Sequence, residues 1–216
     1  VHQQQSHHRL AAEDRRRQLL DIALNFFSRK GFEGTTTKEI AAAAGVTEAI
    51  IFRHFPSKQA LYTAVLDCQH ESGELDRVIA RWKSLMDAND DAGLFRALLD
   101  EVISGYRRDS RVHRAIFFAA LEGHEAGLQL HRERSLPIFE LLCQYVARRQ
   151  SEGAIRGGIP PQAIVGAMAG TAAHFSMMTQ FFGFRHDGTD SGVVEAFMDV
   201  FLHGILPAAS LEKATA

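Results

Sequence analysis

Apolar residues recur along this chain at helical spacing, and polar or glycine-containing stretches separate the runs. From Arg15 to Lys30, the residues Leu19, Ile22, Ala23, Phe26 and Phe27 fall at i, i+3, i+4, i+7 and i+8, one face of an amphipathic helix. Gly31 follows, as a glycine closing a helix in the left-handed region does. Thr36 with Glu39 three residues on spells a capping box, which opens a short helix with Ile40, Ala41 and Ala44 inward and Gly45 at its end. Val46 plugs the turn, and Thr47 is placed to cap a third helix in which Ile51 and Phe55 share a face. Pro56 stops that helix and Ser57 caps the next. Two short helices joined by a tight glycine turn, with one longer helix in support, is helix-turn-helix construction.

Beyond this point the pattern predicts helices at about 57–86, 91–108, 110–123, 127–152, 161–183 and 190–206, the first kinked near Glu71 to Glu74. With the three before them they make nine. Hairpin signals are nearly absent, since Asp187-Gly188 stands alone with no alternating strand pattern beside it. The expected class is all-α: an N-terminal three-helix helix-turn-helix domain that binds DNA, then a larger helical domain, to which a family resemblance of the first domain adds ligand binding and dimerisation. The expected division is a flexible arm at 1–11, a helix-turn-helix domain at 12–56, a helical domain at 57–209, with effector binding and dimerisation implied by that resemblance, and a tail at 210–216.

Composition changes this picture little. The 216 residues are 46% hydrophobic and 23% charged, which suits a chain with a real core. No apolar run reaches the roughly 18 residues of a membrane span, and the polar opening from Val1 to His8 lacks a signal-peptide core. Cys68 and Cys143 lie in apolar contexts and read as buried free thiols, so the expected compartment is the cytoplasm. The charge distribution says more than the net charge of −2. Residues 1–60 hold nine Lys/Arg against six acids, an excess of +3, which leaves −5 for the rest. A basic head on an acidic body suits a protein that presents one end to a polyanion.

The segment from Thr35 to Thr47, followed by Ile51-Phe52-Arg53-His54-Phe55-Pro56-Ser57-Lys58-Gln59-Ala60-Leu61, closely resembles the TetR family of repressors. The shared pattern is Thr, three residues, Ile-Ala, two residues, Ala-Gly-Val-Thr, an aromatic pair ending in Phe, then Lys with Leu three residues later. The resemblance implies that the cap of the second helix, Thr36 with Thr37 beside it, and the opening lysine of the fourth, Lys58, reach DNA phosphates. Thr47, Glu48, Ala49, Phe52, Arg53 and His54 then carry the reading surface of the recognition helix, with Ile50 beside them. An α-helix fits the major groove, where base edges are distinguishable. Two positions depart from the pattern. Ala49 stands where the family often has Gly, and its methyl suits a thymine methyl. Phe52 stands where the family has a Tyr whose hydroxyl bonds a phosphate, a task open to Arg53 or His54. Glu48 repels phosphate but can accept from a cytosine amino group.

Gly166, Ala169, Gly170 and Ala173 form a stripe of small residues, and the following helix is apolar on most sides through Val194, Phe197, Met198, Phe201, Leu202 and Ile205. In the family the last two long helices pair with their twofold mates, which makes the stripe with Phe197 and Phe201 the expected homodimer interface. A dimer carries two recognition helices and reads a palindromic operator on double-stranded DNA. Trp82, Phe95, Tyr106, Phe117, Phe118, Phe139, Phe175, Met177 and Met178 are candidate linings for an apolar or aromatic small-molecule effector, and His113, His124 and His174 candidate polar contacts. The set expected at the site is Trp82, Phe117, Leu121, Phe139, His174 and Met178. Ligand release of a DNA-bound repressor is the implied mechanism, without a cofactor.

Two other classes compete. A metal-dependent enzyme is suggested by eleven histidines and by His124-Glu125, but Leu128 stands where a zinc-binding helix needs its second histidine, and His131 has no evident carboxylate partner. No phosphate-binding or dinucleotide fingerprint is present either, so neither metal nor catalytic residues are expected. A helical interaction module with a vestigial DNA head is the other alternative, supported by the missing tyrosine hydroxyl and by Glu48.

Overall fold

A computed structural model of the chain describes residues 2–71 and 73–203; the side chains of residues 2–11, 68–71, 74, 126, 130 and 131 lie outside that description. The described residues hold ten helices and no strand: α1 (His2–Lys30), α2 (Thr37–Ala43), α3 (Glu48–His54), α4 (Lys58–Glu71), α5 (Glu74–Asp87), α6 (Asp91–Arg108), α7 (Ser110–Glu122), α8 (Glu125–Ser151), α9 (Pro161–Phe181) and α10 (Asp190–His203). None is long and apolar enough to cross a membrane.

The all-α expectation is met with two differences in detail. The opening stretch expected as an arm belongs to α1, and no Gly or Pro between His2 and Lys30 interrupts that helix. The single helix expected over 57–86 is two, α4 and α5. Gly73 between them sits at φ +66°, which no α-helix accommodates, so the anticipated kink is a break. The expected Ile205, Leu206 and 210–216 tail lie outside the described residues, as does the side chain of Cys68. Cys143 is buried and free.

The chain divides into two compact units: Val1–Leu75 with Asp109–Pro137, and Asp76–Arg108 with Ile138–Ala216. In the first, α1 packs against α2, α4 and α7. Its core joins Leu19, Ala23 and Phe27 of α1 to Ile40 and Ala41 of α2, Ile51 of α3, Leu61, Tyr62 and Val65 of α4, and Ala115 and Ala119 of α7. Covered on several sides, α1 buries Leu20 and Leu24 more fully than Ile22 and Phe26, a wider stripe than one apolar face. Tyr62 donates its hydroxyl to the Ala115 carbonyl oxygen at 2.9 Å, tying α4 to α7, and burial pushes the phenol pKa upward so that it stays a donor.

In the second unit α6 packs on α9 and α10. The core includes Trp82, Leu94, Leu98, Leu99, Val146 and Met168. Asp91 opens α6 and accepts from Tyr145 Oη at 2.5 Å and from Arg149 Nε and Nη2 at 2.8 and 2.9 Å. Burial pushes the Asp91 carboxyl upward, but these bonds outweigh it and the pKa lies below the usual carboxylate value.

Candidate nucleic-acid interface

The second helix begins as its sequence predicts. The Glu39 N–H donates to Thr36 Oγ1 at 3.2 Å and the Thr36 N–H donates to Glu39 Oε2 at 3.0 Å, a complete capping box. The carboxylate does more than a cap requires. It also accepts from the Thr36 hydroxyl at 2.9 Å and from Lys30 Nζ at 2.6 Å. Those bonds, Lys30 first, push the Glu39 pKa down to about 2. The Thr36 hydroxyl proton thus points inside the motif.

The turn between α2 and α3 is a Schellman motif. Val46 N–H donates to the Ala41 oxygen at 3.0 Å and Gly45 N–H to the Ala42 oxygen at 3.2 Å, with Gly45 at φ +65°. A Cβ at Gly45 meets no atom within 4 Å, so the glycine is required by the backbone angle and not by crowding. Thr47 holds the N-cap position of α3 with extended backbone, yet its hydroxyl makes no capping bond, contrary to expectation. The negative charge favoured at that end comes from Glu48 in the first turn instead.

Glu48 is half-buried and accepts from Thr37 Oγ1 at 2.5 Å, a bond that locks the start of α2 to the start of α3. Thr37 and Glu48, both expected at DNA, are therefore spent on each other in this structure. Ile50 and His54 are half-buried, while Thr47, Ala49, Phe52 and Arg53 are exposed, with Phe52 at 45%. Burial lowers the His54 pKa first, and the positive charges of Arg53, Arg16 and Arg15 lower it further. Ser57 caps α4 by accepting from Ala60 N–H at 3.0 Å, and Lys58 Nζ stands 4.2 Å from the Phe32 ring centroid, a cation–π contact.

Sequence reasoning missed the support beneath this surface. Glu122, at the end of α7, accepts from the backbone N–H groups of Phe32 and Glu33 at 2.9 and 3.3 Å, bonds that fix the turn after α1. A Cβ on Gly31 would lie 2.1 Å from Glu122 Oε1, so that glycine meets both a positive φ and a close approach. Beside it, His124 packs on Phe32 and Tyr62 with ring centroids at 4.2 and 4.7 Å. Its Nε2 lies 2.9 Å from Gln59 Oε1, and its Nδ1 accepts from Gly127 N–H at 3.2 Å. That N–H fixes Nδ1 as the acceptor, so Nε2 donates to Gln59. No local pattern announces a partner about 90 residues away.

The expected effector residues are divided between the two units. Phe117 and Leu121 stand exposed on α7 in the first unit, Leu121 at 83%. Trp82 and Phe139 pack in the core of the second. His174 and Met178 line an open groove of about 770 Å³ on α9, and Gly166, Gly170 and Phe197 line it too. Two of the expected effector residues thus share a surface with the expected dimer stripe. Ala169, Ala173 and Phe201 are half-buried, and Phe182, Phe184, Val200 and Leu202 add exposed apolar surface at the ends of α9 and α10. His113 is half-buried on α7. Among the described residues no group of three His, Cys, Asp or Glu side chains is placed to hold a metal ion.

An all-helical chain with a capped, glycine-turned helix pair near its N-terminus is a helix-turn-helix protein. Residues 19–65 match the model of the bacterial regulatory proteins of the tetR family. The chain is 35% identical over 103 residues to the HTH-type transcriptional regulator TtgR of Pseudomonas putida, covering 48% of each chain. It is 50% identical over 56 residues to the uncharacterized HTH-type transcriptional regulator YvkB of Bacillus subtilis, covering 26% of this chain and 29% of that one. The match thus spans about half or less of the length of these curated relatives. Among solved structures, the fatty acid degradation regulator FadR from Bacillus halodurans superposes with a TM-score of 0.63 at 18% identity, covering 88% of this chain and 95% of that one. At that identity the likeness is one of fold.

Proposed function

We propose that this protein is a transcription regulator that binds a palindromic duplex as a homodimer and is released from it by a small apolar or aromatic molecule. The observation that carries this reading is the helix pair itself: α2 and α3 are locked by the capping box, the Schellman turn and the Thr37–Glu48 bond, and they leave Ala49, Phe52 and Arg53 outward. Rigid presentation of a short helix is what reading base edges in the major groove requires. In this reading Ala49 and Arg53 face the bases and Lys58 the phosphates, while Thr36 and Glu48 serve the motif more than the DNA. Among the described residues neither Arg53 nor Lys58 makes an ion pair, so each has its charge to offer. Residues 12–56 carry recognition, and 57–209 carry effector response and dimerisation.

The groove on α9 fits the dimer better than the effector. Small residues along one side and phenylalanine along the other are what close helix approach needs, and a stripe so apolar gains by being covered. A second copy covers it in this reading. A regulator of this kind has no catalytic task, and no cofactor enters the reading.

Selection of bound sequences from a random duplex pool tests the proposal. A palindrome is expected, with affinity falling steeply as salt rises. Arg53→Ala should weaken binding to the enriched duplex by about 1–3 kcal/mol if Arg53 reads guanine. No enrichment and no salt-dependent binding would leave the helical interaction module as the better description.

A further inference from the structure

Where α9 ends, the chain turns back on itself. Gly183 stands at φ +68°, and the Phe184 N–H donates to the Met178 oxygen at 3.0 Å. Residues of α6, of the last turns of α9 and of this returning segment line a cavity of about 350 Å³, all within the second unit. One buried group in its lining has no bond. Ser176 is 3% exposed, and its hydroxyl finds no hydrogen-bond partner among the described residues. The Ser176 carbonyl oxygen accepts from the Thr179 hydroxyl at 3.0 Å, so the side chain alone is left over. A buried hydroxyl left unpaired is destabilising, and such groups ordinarily bond protein, water or a ligand. The cavity is more than ten times the roughly 30 Å³ share of one water, so it has room for a molecule.

The rest of the lining says what kind. The Phe175 and His186 rings stand 4.9 Å apart by centroid, tilted at 59°, and with the buried Ile103 they offer a wall that suits a flat ring. At the exposed rim Arg107 is paired with Asp190 at 2.6 Å, whereas Arg185 makes no ion pair among the described residues. Asp187 stands at the rim as well, so Arg107 and Arg185 are matched by Asp187 and Asp190. A doubly charged anion meets no surplus of positive charge here, while a single carboxylate has one uncommitted guanidinium fork to bind.

We infer that this cavity binds a small aromatic acid with one carboxylate and one hydroxyl: the carboxylate on Arg185, the ring on Phe175 and the hydroxyl on Ser176, which can donate or accept. This rests on the effector reading above and gives that effector a place and a chemistry. Of the residues expected at an effector, Phe175 alone lines this cavity. Phe175 and Phe184 also line the open groove on α9. An acid bound here meets rings that a second copy would cover, so pairing changes affinity for the acid and the acid changes pairing by the same factor.

Calorimetry on the full chain, with 4-hydroxybenzoate, 4-hydroxybenzamide and benzoate as probes, tests the site. Wild type should bind 4-hydroxybenzoate about tenfold more tightly than the neutral amide and about fivefold more tightly than benzoate. Arg185→Gln should erase the first difference and Ser176→Ala the second, each leaving the other in place. Ser176→Ala removes an unpaired hydroxyl, so it should melt no lower than wild type while it loses that preference. Acid and amide binding equally, differences that survive both substitutions, or no binding at millimolar probe overturns the site and leaves the DNA reading intact. The effector role is read separately, by adding saturating 4-hydroxybenzoate to the complex with the enriched duplex. Release that Arg185→Gln abolishes supports it. Binding without release overturns the effector reading for such acids and leaves the site standing.

Discussion

The two units bury similar apolar cores but present opposite kinds of surface. Around α2 and α3 the outward groups mix Thr47 and Arg53 with Ala49 and Phe52, and their supports can be named bond by bond: Glu39 on Thr36 and Lys30, Thr37 on Glu48, Glu122 on the turn after α1. Along α9 and α10 the groove is lined mainly by glycine, alanine, phenylalanine and Met178, with Thr171 and His174 among them, and a Cβ added at Gly166 or Gly170 meets no atom within 4 Å. One surface is held in a fixed shape before anything binds. The other is open and apolar, and its shape is completed by whatever covers it. Preorganisation suits the reading of a rigid polyanion, whereas close approach of small residues suits a copy of the same chain.

The largest expected effect lies on the open surface. In Gly170→Arg the side chain enters free space in the single chain, and the change improves helix propensity by about 1 kcal/mol. In a twofold pairing through α9 it sets arginine near arginine. Like charges facing each other cost several kcal/mol, so the dimer constant should fall on the order of a thousandfold. Sedimentation from nanomolar to micromolar concentration, with wild type as reference, reads the shift. A variant that dimerises as wild type does removes α9 from the interface.

Next is the independence of the two cores. Ile51 in the first unit and Leu99 in the second are each fully buried. Truncating either to alanine should cost about 3 kcal/mol. If the units unfold separately, calorimetry resolves two transitions and each variant lowers one of them. A single transition lowered equally by both would mean that the division is geometric and not cooperative.

The contrast between the surfaces also explains what is legible in the sequence. The capping box, Gly45, Ser57, Ile51 and Phe55 all act within a few residues of their partners, so spacing alone places them. Gly73 turns the kink expected near Glu71 to Glu74 into a break, because its positive φ ends the helix although the apolar repeat continues on both sides of it. Thr47 has the spacing of a cap, but its hydroxyl makes no capping bond and Glu48 supplies the charge at that end. Thr37 with Glu48, and Glu122 with Phe32, are contacts between elements, and only the folded chain shows them. The effector candidates are the least legible. Trp82, Phe117 and His174 look alike as apolar or polar marks on helices, yet one lies in a core, one on an exposed face and one in a groove.

Glu122 tests whether the fixed shape of the first surface depends on support from α7. Glu122→Gln keeps one acceptor but removes the charge that strengthens both amide bonds, a loss of about 1–2 kcal/mol. Hydrogen exchange at the Phe32 and Glu33 amides should quicken about tenfold, while amides in α9 keep their rates. Unchanged exchange at those two amides would mean that the turn stands on its own capping.

The smallest effect is a proton at the edge of the first surface. His54 titrates below its ordinary value of 6.5, through burial first and then through Arg53, Arg16 and Arg15. Folding therefore favours its neutral form. The stability this brings is fully present above pH 6.5 and is lost as pH falls through the lower folded value. A phosphate beside the ring works in the opposite sense, favouring its protonated form and raising its pKa in the complex. Binding then takes up a proton, so affinity for the duplex should rise as pH falls through the ring's pKa in the complex toward its lower value in the free head, even while that head loses a little stability. A gain of about threefold to tenfold between pH 7.5 and 5.5 is expected, and His54→Gln should remove it. Equal pH dependence in wild type and variant would place His54 away from the phosphates and leave Lys58 to meet them without it.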